Sequence, residues 1–201
     1  MDEQHFCGCT ASMMQRIGAW SKRRLLVSIQ GQLPALTAEA FRAAVSEALA
    51  SWQAVCPMTF EDAAGRPADL ILTAARIDGP AGVLAWSELP DGTDRPLAQR
   101  YDTSERFVNA TRPGPDQIDI VAVVCHEVGH ALGLDHAPQG SADLMAPVYT
   151  PGRRTPQPGD VARIRQLYGA PADPGDRPPI VIRIYNADRI EIPGYRVTKE
   201  P

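Results

Sequence analysis

The stretch CHEVGHALGLDH, from Cys125 to His136, holds three of the chain's four histidines, with a glutamate directly after the first. His126 and His130 are four residues apart. On a helix that spacing sets both imidazoles on one face, about one turn apart, where they reach a single ion from the same side. Glu127 follows His126, so it sits beside such an ion and not under it. There its carboxylate can take a proton from an activated water. His136 is six residues past His130, which on a continued helix would be about 9 Å farther along and pointing elsewhere. Gly133 resolves this, because glycine can take φ > 0, end the helix and turn the chain back. Three neutral imidazoles with a fourth position open to water are the donor set of one catalytic zinc.

Such a centre needs elements to hold it. QIDIVAVVCHEVGHALG (117–133) predicts the metal-bearing helix, with Asp116 as its cap. LTAEAFRAAVSEALASWQAV (36–55) predicts another, with Thr37 as N-cap and Phe41, Val45, Ala48, Leu49 and Trp52 as its apolar stripe. PGDVARIRQLYG (158–169) predicts a third, with Asp160 near its start. Strands are predicted at 23–31, 58–62, 68–76, 82–89 and 97–102. Strand, helix, several strands and two helices give an α+β or mixed α/β class.

The flanks read differently. Residues 1–20 form an N-terminal arm, 21–170 the domain, and 171–201 a Pro-rich linker with a short β-like tail alternating over 180–198. With 201 residues the chain suffices for one sizeable core plus such appendages. The net charge of −4 and the lack of a basic tract argue against nucleic acid. No apolar run reaches the length of a membrane span, and MDEQHFCGCTASMMQ lacks a secretory-signal pattern. Cys125 falls on an apolar helix face and reads as buried packing.

The motif HExxHxxGxxH resembles that of the metzincin metallopeptidases, and the chain looks within them like the matrixins, the matrix-metalloproteinase-like branch. PMTFED, ADLIL, DGPAGVLAW, YDTSE, DLMAPVY and DVARIRQLYG each resemble the family's corresponding segment, in order, over roughly Trp20–Gly169. The resemblance implies a metzincin catalytic domain. Its sheet is twisted, five-stranded and mostly parallel, with one antiparallel edge strand. Three helices pack on it, and the substrate cleft lies over the zinc-binding helix.

The resemblance also assigns roles. Met145 packs beneath the three histidines, and Gly133 makes the turn. Val83, Leu84 and Ala85 belong to the edge strand that pairs with extended polypeptide. Pro147, Val148 and Tyr149 line the main specificity pocket, S1′. Ala122 borders it, and its small side chain implies a deep pocket for a large apolar P1′ residue such as Leu, Phe or Met. Arg153 and Arg154 follow in the loop that can modify the pocket floor. Asp78, Asp102 and Glu105, with the Gly79 and Ala81 carbonyls, match structural calcium ligands.

The departures carry expectations too. Matrixins usually hold a second zinc through three histidines and an aspartate near 70–102, but here Trp86 and Arg100 stand at two histidine positions. One zinc is expected, with Trp86 and Arg100 stacked in place of the other. The family's cysteine switch is absent, leaving Cys7 or Cys9 as a substitute latency thiol. The resemblance implies zinc-dependent endopeptidase hydrolysis by a monomer, extracellular or periplasmic, with Glu127 as general base. The alternatives are a self-inhibited zymogen, with 1–20 or 180–198 in the cleft, a catalytically silent peptide-binding module, and a non-proteolytic zinc hydrolase.

Overall fold

The computed structural model describes residues 17–172. Cys7, Cys9 and the 180–198 tail lie outside them. Four strands run parallel: β1 (Arg24–Gln30), β2 (Thr59–Asp62), β3 (Leu70–Ala75) and, after the short β4 (Ala85–Ser87), β5 (Leu97–Asp102). The sheet order is β2-β1-β3-β5-β4, and β4 is the antiparallel edge. Two short segments, β6 (Phe107–Val108) and β7 (Ile118–Asp119), pair parallel outside the main sheet.

Helix α1 (Ala38–Gln53) starts where Thr37 accepts the Ala40 N–H at 3.1 Å, as the sequence predicts. It buries Phe41, Ala44, Val45, Ala48, Leu49 and Trp52, which includes the whole predicted stripe. Helix α2 (Ile120–Ala131) is buried along its entire length, so it runs through the core and not over the surface. Trp52 fixes one helix on the other, since its indole N–H donates to the Cys125 carbonyl at 2.9 Å. Cys125 is packing as expected. Its thiol meets the Ser51 hydroxyl, and burial pushes its pKa up to about 12. Helix α3 (Pro158–Tyr168) closes the domain.

Three boundaries move. The α2 cap is Asp119, whose side chain accepts from the Val121 N–H, and not Asp116, which takes a left-handed φ of 57°. The reason is β7, which keeps residues 118–119 extended. The edge strand is shorter than 82–89, because the Val83 N–H turns to the Asp78 carboxylate. The Leu84 carbonyl and Glu88 N–H still bond to residues of β5's flanks and body. Finally, Trp20 belongs with the core and not with an arm. It is 2% exposed, and its indole N–H donates to the Ala131 carbonyl at 2.7 Å.

Candidate active site

Helix α2 carries His126, Glu127 and His130 on successive positions of its last turns, all buried. It then stops in a Schellman motif. Gly133 adopts φ 96°, its N–H donates to the His130 carbonyl at 2.8 Å, and the Leu134 N–H donates to the Gly129 carbonyl at 3.0 Å. The turn redirects the chain so that His136 comes back to the helix. The His130 Nε2 lies 3.0 Å from the His126 Nε2 and 3.2 Å from the His136 Nε2.

The second nitrogens fix the tautomers. The His126 Nδ1 lies 2.8 Å from the Leu144 carbonyl oxygen, and the His130 Nδ1 lies 2.8 Å from the Leu134 carbonyl oxygen. A carbonyl only accepts, so each Nδ1 carries the proton and each Nε2 presents a lone pair. Burial drives the His126 pKa down to about 4, outweighing the Leu144 carbonyl that favours the cation. Burial first, and then the neighbouring His126, hold His130 well below its ordinary value, and burial lowers His136. Neutral imidazoles whose lone pairs converge repel one another unless a cation lies among them. Nitrogens about 2.0–2.1 Å from a tetrahedral zinc sit roughly 3.3 Å apart, close to the separations here. Among the described residues, these histidines are the one group of three or more His, Cys, Asp or Glu with converging ligand atoms. The donor set fits zinc.

Support comes from residues whose part sequence reasoning did not assign. Asp160, with no exposure, accepts the Leu144 N–H at 2.7 Å and the Met145 N–H at 3.2 Å. It thereby holds the turn whose Leu144 carbonyl orients His126. Met145 packs against α2 at Gly129. Its sulfur would stand 2.3 Å from a Cβ at Gly129, with Trp52 at 2.9 Å, so the helix needs glycine between its two metal ligands. Gln99 ties the sheet to α2, donating to the Glu127 carbonyl at 2.8 Å while accepting from the Tyr101 hydroxyl. Asp160 had a cue in its place within DVARIRQLYG. A lone buried glutamine in a strand leaves no comparable pattern.

A cleft adjoins the histidines. Its lining brings together His126, Glu127, Ala122, Leu84 and the segment Pro147, Val148, Tyr149, and it encloses about 370 Å³ including its open mouth. Ala85 begins the edge strand beside Leu84, and Val83 precedes it. The far wall is held to α2. The Asp119 N–H donates to the Tyr149 hydroxyl at 2.8 Å, and Arg154 grips both Asp119 carboxylate oxygens at 2.8 and 2.9 Å.

The 78–105 region is arranged otherwise. Asp102 accepts the Asp78, Gly79 and Ser104 N–H groups at 3.1, 3.2 and 2.8 Å. Glu105 accepts the Gly82 N–H at 3.4 Å. Asp78 takes the Val83 N–H. The carboxylates come from two neighbouring segments, and they are turned to backbone donors. Ala81 in that loop has φ 64°. Trp86 and Arg100 face each other across β4 and β5, with the guanidinium carbon 5.5 Å from the indole centroid. The expected stack is present.

The fold, the three-histidine site and its glutamate define a metallopeptidase domain. A family profile described as Matrixin matches residues 19–169. The chain belongs to the matrixin family, a family of zinc metalloendopeptidases that act on polypeptides. Matrix metalloproteinase-19 of Homo sapiens is 34% identical over 168 residues, covering 76% of this chain and 31% of that protein. Stromelysin-3 of Mus musculus is 35% identical over 165 residues, covering 77% and 32%. Stromelysin-1 of Equus caballus is 32% identical over 164 residues, covering 76% and 33%. The chain spans about a third of the length of these relatives.

Proposed function

We propose that residues 21–170, with Trp20, form a zinc endopeptidase domain that hydrolyses internal bonds of extended polypeptides. The observation that carries this is the convergence of the His126, His130 and His136 ring nitrogens beside a buried glutamate at the floor of a cleft. His126, His130 and His136 hold the zinc. Zinc held by these three residues would supply acidification of a water and polarisation of the scissile carbonyl. Glu127 accepts the attacking water's proton and returns it to the leaving amine. The backbone around Val83, Leu84 and Ala85 pairs with the extended substrate, which explains how many sequences are accepted. The segment Pro147–Tyr149 and Ala122 shape the S1′ wall.

The proposal extends to calcium at Asp78, Gly79, Ala81, Asp102 and Glu105, since acidic side chains from two segments meet there, Asp102 bonding the Asp78 N–H and Glu105 the Gly82 N–H. It extends also to an extracellular or periplasmic setting and to a monomer. Among the described residues no helix is long and apolar enough to cross a membrane.

The test is cleavage of a quenched peptide library by the zinc-loaded full chain beside Glu127→Ala. Loss of general acid–base help lowers kcat about 10²–10⁴-fold. Zinc stoichiometry by mass spectrometry stays at one in both proteins. A variant as active as the parent overturns Glu127's role.

A further inference from the structure

One part of the cleft wall carries a charge. Arg153 lines the same cleft as Ala122, Val123, Leu144, Val148 and Tyr149. Its Nη1 donates to the Asp143 carbonyl at 2.8 Å. That contact anchors the side chain without neutralising it. Arg153 is half-buried, and among the described residues no carboxylate lies within ion-pair distance of it. The neighbouring arginine is the contrast. Arg154 is satisfied by Asp119, Glu47 and Asn109 at 2.8 to 3.1 Å. One arginine of the pair builds the wall, and the other presents a guanidinium with donors to spare.

A partly desolvated guanidinium gains most from an oxygen acceptor, above all a carboxylate that it can meet with two parallel N–H groups. His126 and Glu127 line the cleft on the side of the three-histidine site, while Ala122, Val123, Leu144 and Val148 offer hydrocarbon without charge. A side chain that suits both has an apolar stem and an acceptor tip. A purely apolar occupant fills the stem region but covers Arg153 without replacing its water, which costs affinity. The residue types thus favour a different P1′ side chain from the large apolar one that Ala122 alone implies.

We propose that Arg153 makes the S1′ pocket select long P1′ side chains ending in an oxygen acceptor, glutamate first and glutamine next. This inference rests on the reading of the cleft as a peptidase site. Its consequence is a substrate class: polypeptides cut before an acceptor-tipped residue.

The experiment uses peptides identical except for Glu, Gln, Met, Leu or Lys at P1′. The zinc-loaded full chain and its Arg153→Met, Arg153→Lys and Arg153→Glu variants are compared by kcat/KM. The same peptides are titrated by fluorescence anisotropy onto the Glu127→Ala chain, with and without Arg153→Met. The Glu-to-Met preference is expected to fall about tenfold or more on Arg153→Met. Arg153→Lys keeps part of it, and Arg153→Glu reverses it toward Lys. If Arg153→Met does not fold, the Lys and Glu variants carry the comparison. An unchanged Glu-to-Met ratio in every Arg153 variant overturns the inference while leaving the peptidase reading intact. Binding that keeps the Arg153-dependent preference without any cleavage by the parent upholds the pocket assignment and overturns the peptidase reading.

Discussion

The metal centre and the 78–105 loop are both places where a matrixin-like sequence leads one to expect ions, yet they are built differently. At the centre, the protein's own hydrogen bonds turn nitrogens toward one another. The Leu134 and Leu144 carbonyls occupy each Nδ1, so the lone pairs are left facing inward. At the loop, hydrogen bonds point the other way. Backbone N–H groups occupy the oxygens of Asp102, Asp78 and Glu105. The first arrangement is unfavourable until a cation arrives. The second holds its turn from within the chain, and beside it Trp86 and Arg100 make a side-chain contact. Burial decides what can stand alone: a carboxylate can be satisfied by N–H donors, but the inward lone pairs of His126 and His130 cannot satisfy each other.

The sharpest way to break the comparison acts on Asp160. It accepts the Leu144, Met145 and Gln157 N–H groups and pairs with Arg163 at 2.9 Å. Removing it by Asp160→Ala orphans several buried donors, at a cost of about 1–3 kcal/mol for each, and takes the carboxylate partner of Arg163, which keeps the Asp135 carbonyl. It also frees the turn that orients His126, so zinc affinity is expected to drop about 10–100-fold. Chemical denaturation and a competitive zinc chelator titration measure the two effects separately. A variant that loses stability but keeps full zinc affinity would show that Asp160 supports the fold and not the metal.

The loop gives a smaller effect. Burial by itself would raise the Asp102 pKa, but N–H groups of Ser104, Asp78 and Gly79 outweigh it and hold the carboxyl below its ordinary range. A folded pKa below the unfolded one adds stability that is complete above about pH 4 and is lost as pH falls through the folded value. Asp102→Asn turns an amide donor toward donors and is expected to cost about 1–3 kcal/mol. The loss disappears in strong acid, where the parent has lost the same carboxylate. Denaturation midpoints from pH 7 to pH 2.5 check this. A constant difference across that range refutes the loop's dependence on the charge. Adding Ca²⁺ sharpens the contrast: if the carboxylates can leave their N–H donors for an ion, the parent's Tm rises and that of Asp102→Asn does not.

How much of this was legible depended on where each signal lies in the chain. The HExxHxxGxxH spacing specified the three histidines that converge and the helix end because helical geometry acts over a few residues. The five-stranded, mostly parallel sheet with one antiparallel edge followed from colinear segments, and the Thr37 cap and the α1 stripe from local pattern. The Asp119 cap was missed since β7 exists only through pairing with residues about ten positions earlier, which no local period reveals. Trp20 was placed in the arm because its partners, Ala131 and Tyr168, are more than a hundred residues away. Asp160 and Gln99 were visible as residues but not as supports, because their role is a set of backbone contacts from distant segments.

The smallest effect tests whether the Trp86–Arg100 contact replaces a metal or merely occupies its place. The two residues are directly opposite in an antiparallel pair, where side chains on one face interact most. An indole and a guanidinium at this separation contribute about 0.5–1 kcal/mol at an exposed site. A structural metal would contribute much more, so the pair cannot be the chief support of this edge. The loop hydrogen bonds and the Gln99 network must carry most of it. A double-mutant cycle of Trp86→Ala and Arg100→Ala by urea denaturation is therefore expected to give a coupling within about 0.5–1 kcal/mol. Coupling of several kcal/mol would mean that the pair bears the load of the metal it stands for. Zero coupling would leave the loop's own hydrogen bonds as the whole replacement.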